Sequence, residues 1–349
     1  MGWLPTESGN PEFIVGRQRI SASGITSDAY EISAVTEDNP EWSLTRASSF
    51  GVVAPDPDVD WVEQAIEDAK EVVDVYLFGK KTWKKDSYGA LATALMMRPA
   101  IPLRPKMVPY LFGPPASGKS WTVAAIFMGW QPRGGIWTNT SLPGSARDTG
   151  ASTELSVSRA PLWVMDDLAP SVSRVKAEKE ADALGDLIRS IHDENAKKRA
   201  TRSMGSQKLH SPNALFMVTA ENEPSIGSIM SRTAPIRFDA DCLYSIEPVE
   251  TLGERGVQAR LVGAFIRWLA NVSSTTNGWQ NLRALFRDLQ KGVCKDVADE
   301  VIRTRNVGIT EGDLQRLSAS SSDLMATLTC DSLGTELVLH YALRILRPA

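Results

Sequence analysis

"GPPASGKS", residues 113–120, follows the short apolar run "MVPYLF" (107–112) and opens the helix-like stretch "SWTVAAIFMGW" (120–130). The eight residues fit G-x-x-x-x-G-K-[ST], a loop whose backbone wraps phosphates. Gly113 and Gly118 let the chain turn tightly enough for N–H groups to face a β-phosphate. The following helix adds the positive end of its dipole. Lys119 is expected to reach the β- and γ-phosphates of ATP, and the Ser120 hydroxyl to ligate Mg²⁺. The whole loop, Gly113, Pro114, Pro115, Ala116, Ser117, Gly118, Lys119 and Ser120, is the expected nucleotide contact.

Outward from this loop the chain alternates. Apolar strand candidates are 107–112, "GIWTN" (135–139), "PLWVMDD" (161–167), "ALFMVTA" (214–220) and "PIRF" (235–238), with helix-like or polar segments between them. Short apolar strands interleaved with helices predict an α/β fold, a parallel sheet flanked by helices. Pro109 lacks a ladder donor and belongs near a strand start. Before the sheet, "EFIVGRQRISASG" (12–24) alternates apolar and polar residues as a half-buried strand does. From Asp60, a helix N-cap, "WVEQAIEDAKEVVDVYLF" puts Trp61, Ala65, Ala69, Val72, Val73 and Tyr76 on one face, with Gly79 as its stop. "DSYGALATALMM" (86–97) predicts a second helix ending before Arg98-Pro99. After residue 249 the strand signal fades, and "GVQARLVGAFIRWLANV", "NLRALFRDLQ" and "ELVLHYALRIL" read as helices. The expected organisation is an N-terminal β-rich segment (1–58), a helical segment (59–98), a P-loop core (99–248) and a C-terminal helical domain (249–349).

Three further features carry chemistry. "PLWVMDD" delivers Asp166 and Asp167 at a strand end, Asp166 to hold Mg²⁺ through water and Asp167 to polarise the attacking water. The other reading is a strand ending in solvated carboxylates. "ALFMVTAENEP" brings Asn222 to the carboxyl end of its strand, where ligands sit in such sheets. Asn222 there faces the attacking water or the γ-phosphate, or else merely forms a turn, with Glu221 a competitor for the polar role. Arg232, in "SIMSRTAPIRF", either stabilises charge on a neighbouring subunit's γ-phosphate or satisfies helix-end carbonyls, and Arg237 is a weaker rival.

In this order the four features resemble the ATPase core of AAA+ proteins. Three stretches are similar to phage and plasmid replicative helicases, which are often fused to a primase-polymerase and are related to superfamily three helicases. They are "GALATALMMRPAIPLRPKMVPYLFGPPASGKSWTVAAIFMGW", "TNTSLPGSARDTGAS" and "LGDLIRSIHDENAKKRATRSMGSQKLHSPNALFMVTAEN". The resemblance covers roughly residues 88–240. It implies a hexameric ring that hydrolyses ATP with Mg²⁺, acts on single-stranded or forked DNA and partners a primase-polymerase. It departs at Asp167, where Glu is common, and in lacking a primase segment.

Net charge is −4, so nucleic-acid contact requires a local basic stripe. Between Glu194 and Glu221 no acidic residue occurs, while Lys197, Lys198, Arg199, Arg202, Lys208 and His210 do. "RATRSMGSQKL" reads as a hairpin with Met204-Gly205-Ser206 as its turn. The resemblance implies a pre-sensor hairpin there, projecting into a ring's pore, and the other reading is a solvated basic loop. Lys198, Arg199, Arg202, Lys208 and His210 are the expected strand contacts. In "KKTWKK" (80–85), Trp83 either stacks on bases or is buried, and "RVKAEKEADALGD" (174–186) reads as an exposed helix face.

Three cysteines and three histidines, all far apart, give no metal-site spacing. No apolar run approaches the ~20 residues of a membrane span, and a cytoplasmic location, in a bacterial host if phage or plasmid encoded, is expected. Alternatives stay open: a DNA-binding AAA+ switch or loader without unwinding, or a P-loop small-molecule kinase. The guanine-reading N-K-x-D is absent, which argues against a GTPase.

Overall fold

The computed structural model describes residues 2–4, 10–27, 50–78, 82–132, 136–168, 174–193, 199–200, 206–207, 212–224, 232–274 and 277–288. Four strands form a parallel sheet in the order β10-β5-β9-β6: β5 is Val108–Phe112, β6 Leu162–Leu168, β9 Leu215–Ala220 and β10 Thr233–Arg237. All of β9 is buried and so are the first four residues of β5, as continuous apolar runs in a two-face-covered sheet require. Helices α3 (Lys119–Phe127) and α4 (Gly150–Arg159) pack on β6. Helix α5 (Arg174–His192) runs along α4 and buries Leu184, Leu187, Ile188 and Ile191. The run read as an exposed helix face is thus helical, and from Leu184 it also supplies core.

Pro109 sits in the second position of a central strand without breaking it. Val108 donates its N–H to Arg232 O, towards β10, so the nitrogen of Pro109 faces β9. Pairing with β9 begins only at Tyr110. The missing donor therefore falls where no ladder exists.

Segment 136–139 is not a strand, contrary to its apolar composition. Gln131 takes both backbone groups of Trp137: its amide donates to Trp137 O at 3.3 Å and its carbonyl accepts from Trp137 N at 3.1 Å. Thr138 and Ser141 then close a tight turn, with Ser141 N donating to Thr138 O and Thr138 N to Ser141 Oγ. A buried glutamine has replaced the ladder, and Trp137 is buried without one.

The amino-terminal part forms an antiparallel meander of β1 (Gly2–Leu4), β2 (Glu12–Val15), β3 (Gln18–Ser21) and β4 (Gly24–Ser27). Phe13, Val15 and Ile20 turn inward, as the alternation predicts. The meander lies on α7 (Val257–Ser273), which also packs along α1 (Trp61–Val73). Asp60 caps α1 by accepting from Val62 N and Glu63 N at 2.9 and 3.1 Å. Its buried face holds Ala65, Ala69 and Val72 and, unforeseen, Asp68. A π-helical turn, Asp74–Phe78, continues it. Helix α2 spans Asp86–Met97 as expected and meets that turn at Gly89, where a Cβ would lie 1.6 Å from Tyr76 O. Helix α6 (Glu247–Glu254) precedes α7, and residues 278–288 are helical. Cys242 is a buried free thiol. Among the described residues no helix is long and apolar enough to cross a membrane.

Candidate active site

The 113–120 loop leaves the carboxyl end of β5 and enters α3, and its path is fixed by two glycines. Gly113 has φ +152° with Phe238 O only 2.2 Å from where a Cβ would stand, and Gly118, at φ +91°, has Cys242 Sγ and Leu243 at 2.9 Å. Any side chain at either position forces the loop off the strap that follows β10. Gly113 N donates to Ala220 O, which ties the loop to the end of β9. The first turn of α3 therefore aims its free N–H groups out over the sheet's carboxyl edge.

Lys119 is buried and lies back along the loop, donating to Gly113 O, Pro114 O and Ser117 Oγ at 2.9, 2.8 and 3.1 Å. Burial lowers its pKa, opposed by the carboxylates of Glu221, Asp166 and Asp167. Glu221 has the largest opposing effect, so it is the carboxylate that bears most on this ammonium.

Ser120 donates its hydroxyl to Asp166 Oδ1 at 2.9 Å. Thr219 Oγ1 donates to the same oxygen at 2.5 Å and accepts from Asp167 N at 2.9 Å. One buried hydroxyl on β9 thus sets the positions of both acidic residues on β6. The register of β6 against β9 shifts between Met165 and Leu168, and Asp167 takes φ +62° within that bulge. Its side chain leaves the ladder and is exposed. Asp166 is held from the other side by the loop at 144–146, with Ala146 N donating to its carbonyl at 2.8 Å. Thr219 was not singled out in the sequence, though it is the sole hydroxyl in the apolar run "LFMVTA".

The donor set suits a nucleotide with Mg²⁺. That ion takes one or two carboxylates and otherwise phosphate and water oxygens, so a hydroxyl and a carboxylate joined across 2.9 Å suffice. Among the described residues no cluster of three His, Cys, Asp or Glu offers an all-protein cage.

Glu221 and Asn222 follow β9 at the same edge, Asn222 exposed and Glu221 half-buried. Arg232 lies elsewhere. It precedes β10, which runs parallel to β5 with Thr233 opposite Val108 and Arg237 opposite Phe112. Arg232 is therefore a full strand length, about 16 Å, from its own loop, farther than an arginine side chain reaches. Its guanidinium lies 3.9 Å from Asp193. Arg237 ends β10 at the loop's edge with an exposed side chain.

The segment between α5 and β9 is anchored at the same far edge. Asn213 N and Ala214 N donate to Val157 O on α4. Within it β7 (Arg199–Ala200) and β8 (Ser206–Gln207) pair antiparallel, Arg199 opposite Gln207 and Ala200 opposite Ser206. Ser206 is thus a strand residue rather than part of the turn. Lys198, Arg202, Lys208 and His210 lie outside the described residues. Trp83 is buried and donates to Thr122 Oγ1 at 3.0 Å, so it is a packing residue and not a base-stacking one.

No family model matches the chain, and no curated protein does. Solved structures overlap with it weakly. SCCmec type IV Cch, an active helicase, aligns at 12% identity and TM-score 0.42 over 99% of this chain and 59% of its own. JCV helicase with a bound inhibitor aligns at 11% identity and TM-score 0.28 over 77% of this chain and 74% of its own. At such identities and scores the overlap does not define an activity.

Proposed function

We propose that the protein is an ATP-driven DNA helicase or translocase that works as a ring, of six copies, in phage or plasmid DNA replication. The observation that carries this reading is the division of the sheet into two edges. The loop, Ser120, Asp166, Glu221 and Asn222 share one edge, and Arg232 and the hairpin's anchors share the other. Head-to-tail packing of copies sets the second edge of one subunit against the first edge of the next, and such heterologous contacts form a ring when the rotation between copies closes.

In this reading Lys119 neutralises the β- and γ-phosphates, and Ser120 and Asp166 hold Mg²⁺. Mg²⁺ held there would supply charge neutralisation for the phosphates. Asp167 orients and polarises the attacking water, Asn222 hydrogen-bonds it or the γ-phosphate, and Arg232 reaches the neighbour's γ-phosphate. The basic hairpin grips single-stranded DNA through phosphates, without reading sequence. A primase-polymerase, in the same or another chain, is the proposed partner.

The test is ATP turnover with and without single-stranded DNA, beside strand displacement on a fork. Lys119→Ala is expected to abolish both activities. Lys208→Ala and Arg202→Ala are expected to keep DNA-free turnover, weaken oligonucleotide binding and reduce its salt dependence by about one phosphate contact each. DNA-stimulated turnover without displacement would instead identify a switch or loader. Turnover unaffected by Lys119→Ala would remove the phosphate-loop reading altogether.

A further inference from the structure

We infer that Tyr244 is the platform on which the base of a bound purine nucleoside triphosphate stacks, with Leu243 as the wall between that base and the phosphate loop. This rests on the phosphate-loop reading above and adds the part of the ligand that the loop does not touch.

The sheet order decides where a nucleoside must go. β9 and β6 lie on one flank of β5 and bring Thr219, Asp166 and Glu221 to that side of the loop. Ser120 and Asp166 would hold Mg²⁺ on that flank, so the γ end of the triphosphate is expected towards β6. The nucleoside end then leaves towards the opposite flank, where β10 continues into residues 238–244. That continuation touches the loop directly: Phe238 O crowds Gly113, and Cys242 and Leu243 crowd Gly118. The Cys242 thiol donates to Ser117 O.

Tyr244 is the next residue, and its side chain is 58% exposed, the most exposed large apolar side chain among the described residues. Its backbone is held firmly. Tyr244 N donates to Thr82 O at 2.7 Å, Lys84 N donates to Cys242 O at 2.9 Å, and Trp83 bridges Leu243. Trp83 is itself hydrogen-bonded to Thr122 on α3, so the platform is fixed to the helix that starts at the loop. Lys84 pairs with Asp241 and stands 5.6 Å from the Tyr244 ring centroid, which restrains the ring. Stacking on an aromatic face gains most from the larger purine surface.

Calorimetry with two probes, ATP and inorganic tripolyphosphate, both with Mg²⁺, tests this on the full chain. Tyr244→Ala is expected to weaken ATP about tenfold and leave tripolyphosphate unchanged. Tyr244→Phe is expected to bind both like the parent, because the ring and not the hydroxyl stacks. The parent's preference for ATP over UTP is expected to shrink in Tyr244→Ala. ATP affinity unchanged in Tyr244→Ala, or equal loss of ATP and tripolyphosphate, overturns the assignment while the loop reading stands. Failure of the parent to bind either probe overturns the loop reading, and this inference with it.

Discussion

Thr219 holds two carboxylate residues through one hydroxyl, donating to Asp166 and accepting from the Asp167 amide. Thr219→Val keeps the shape and removes both bonds, so an amide and a carboxylate oxygen lose a partner. The expected cost is about 1–3 kcal/mol of stability. ATP affinity should change little, because the loop is untouched, while turnover falls at least tenfold. Thr219→Ser should restore most of it, and denaturant unfolding beside steady-state turnover reads both effects. The choice of water-orienting base also belongs to single residues. Asp167 is exposed in a bulge at positive φ, whereas Glu221 bears most strongly on Lys119. Asp167→Asn is expected to bind ATP and fail to hydrolyse it, with Glu221→Gln milder; the reverse pattern moves the base to Glu221. The loop was readable from residue types at fixed spacing, and Asp166 from its place at the end of the apolar run "PLWVM". Thr219 was not, because its partners lie more than fifty positions away and only the sheet register unites them.

Helices α1 and α7 are joined by a charge pair that neither helix announces in its own pattern. Asp68 is buried and accepts from Arg260 Nε and Nη2 at 2.9 and 2.6 Å, and Arg255 grips Glu71 one turn along. Burial raises the Asp68 carboxyl above its ordinary value of 3.8, with Arg260 opposing. A raised folded-state value means that the folded protein holds this proton more tightly. Its contribution is therefore complete below pH 3.8 and is lost as pH rises through the folded value. Asp68→Asn, which cannot titrate, should remove that fall from the stability profile. Arg260→Met leaves the carboxylate buried without its partner and should cost about 3–5 kcal/mol, while Asp68→Leu with Arg260→Met should return close to the parent. Urea unfolding of the three variants checks both, and a double variant as weak as Arg260→Met would mean that the pair sets the helix geometry. Helix α2, with Pro99 to stop it, and the Asp60 cap of α1 were legible from local signals. Segment 136–139 was misread because Gln131, five positions or more away in the chain, competes for its backbone.

At the scale of the whole molecule the two sheet edges make opposite demands. Arg232 cannot serve its own loop across a strand length of about 16 Å, so a role in turnover requires a second copy. Arg232→Ala and Lys119→Ala proteins should each be nearly inactive, for different reasons. The first keeps its loop and lacks the cation for a neighbour, and the second keeps the cation and lacks its loop. In a mixture, some interfaces join an intact loop on Arg232→Ala to an intact arginine on Lys119→Ala. Those interfaces alone should turn over, and recovered activity should peak near equal proportions, since the frequency of such neighbours is greatest there. An arginine acting at the γ-phosphate is worth about 10³–10⁵ in rate, so a small fraction of complete interfaces is measurable above either background. Dilution should abolish the recovery if assembly is reversible, because the site then exists only between copies. Mixed assemblies demonstrated by differently tagged subunits, yet without recovered turnover, would make Arg232 a structural residue and leave the far edge of the sheet without a part in hydrolysis.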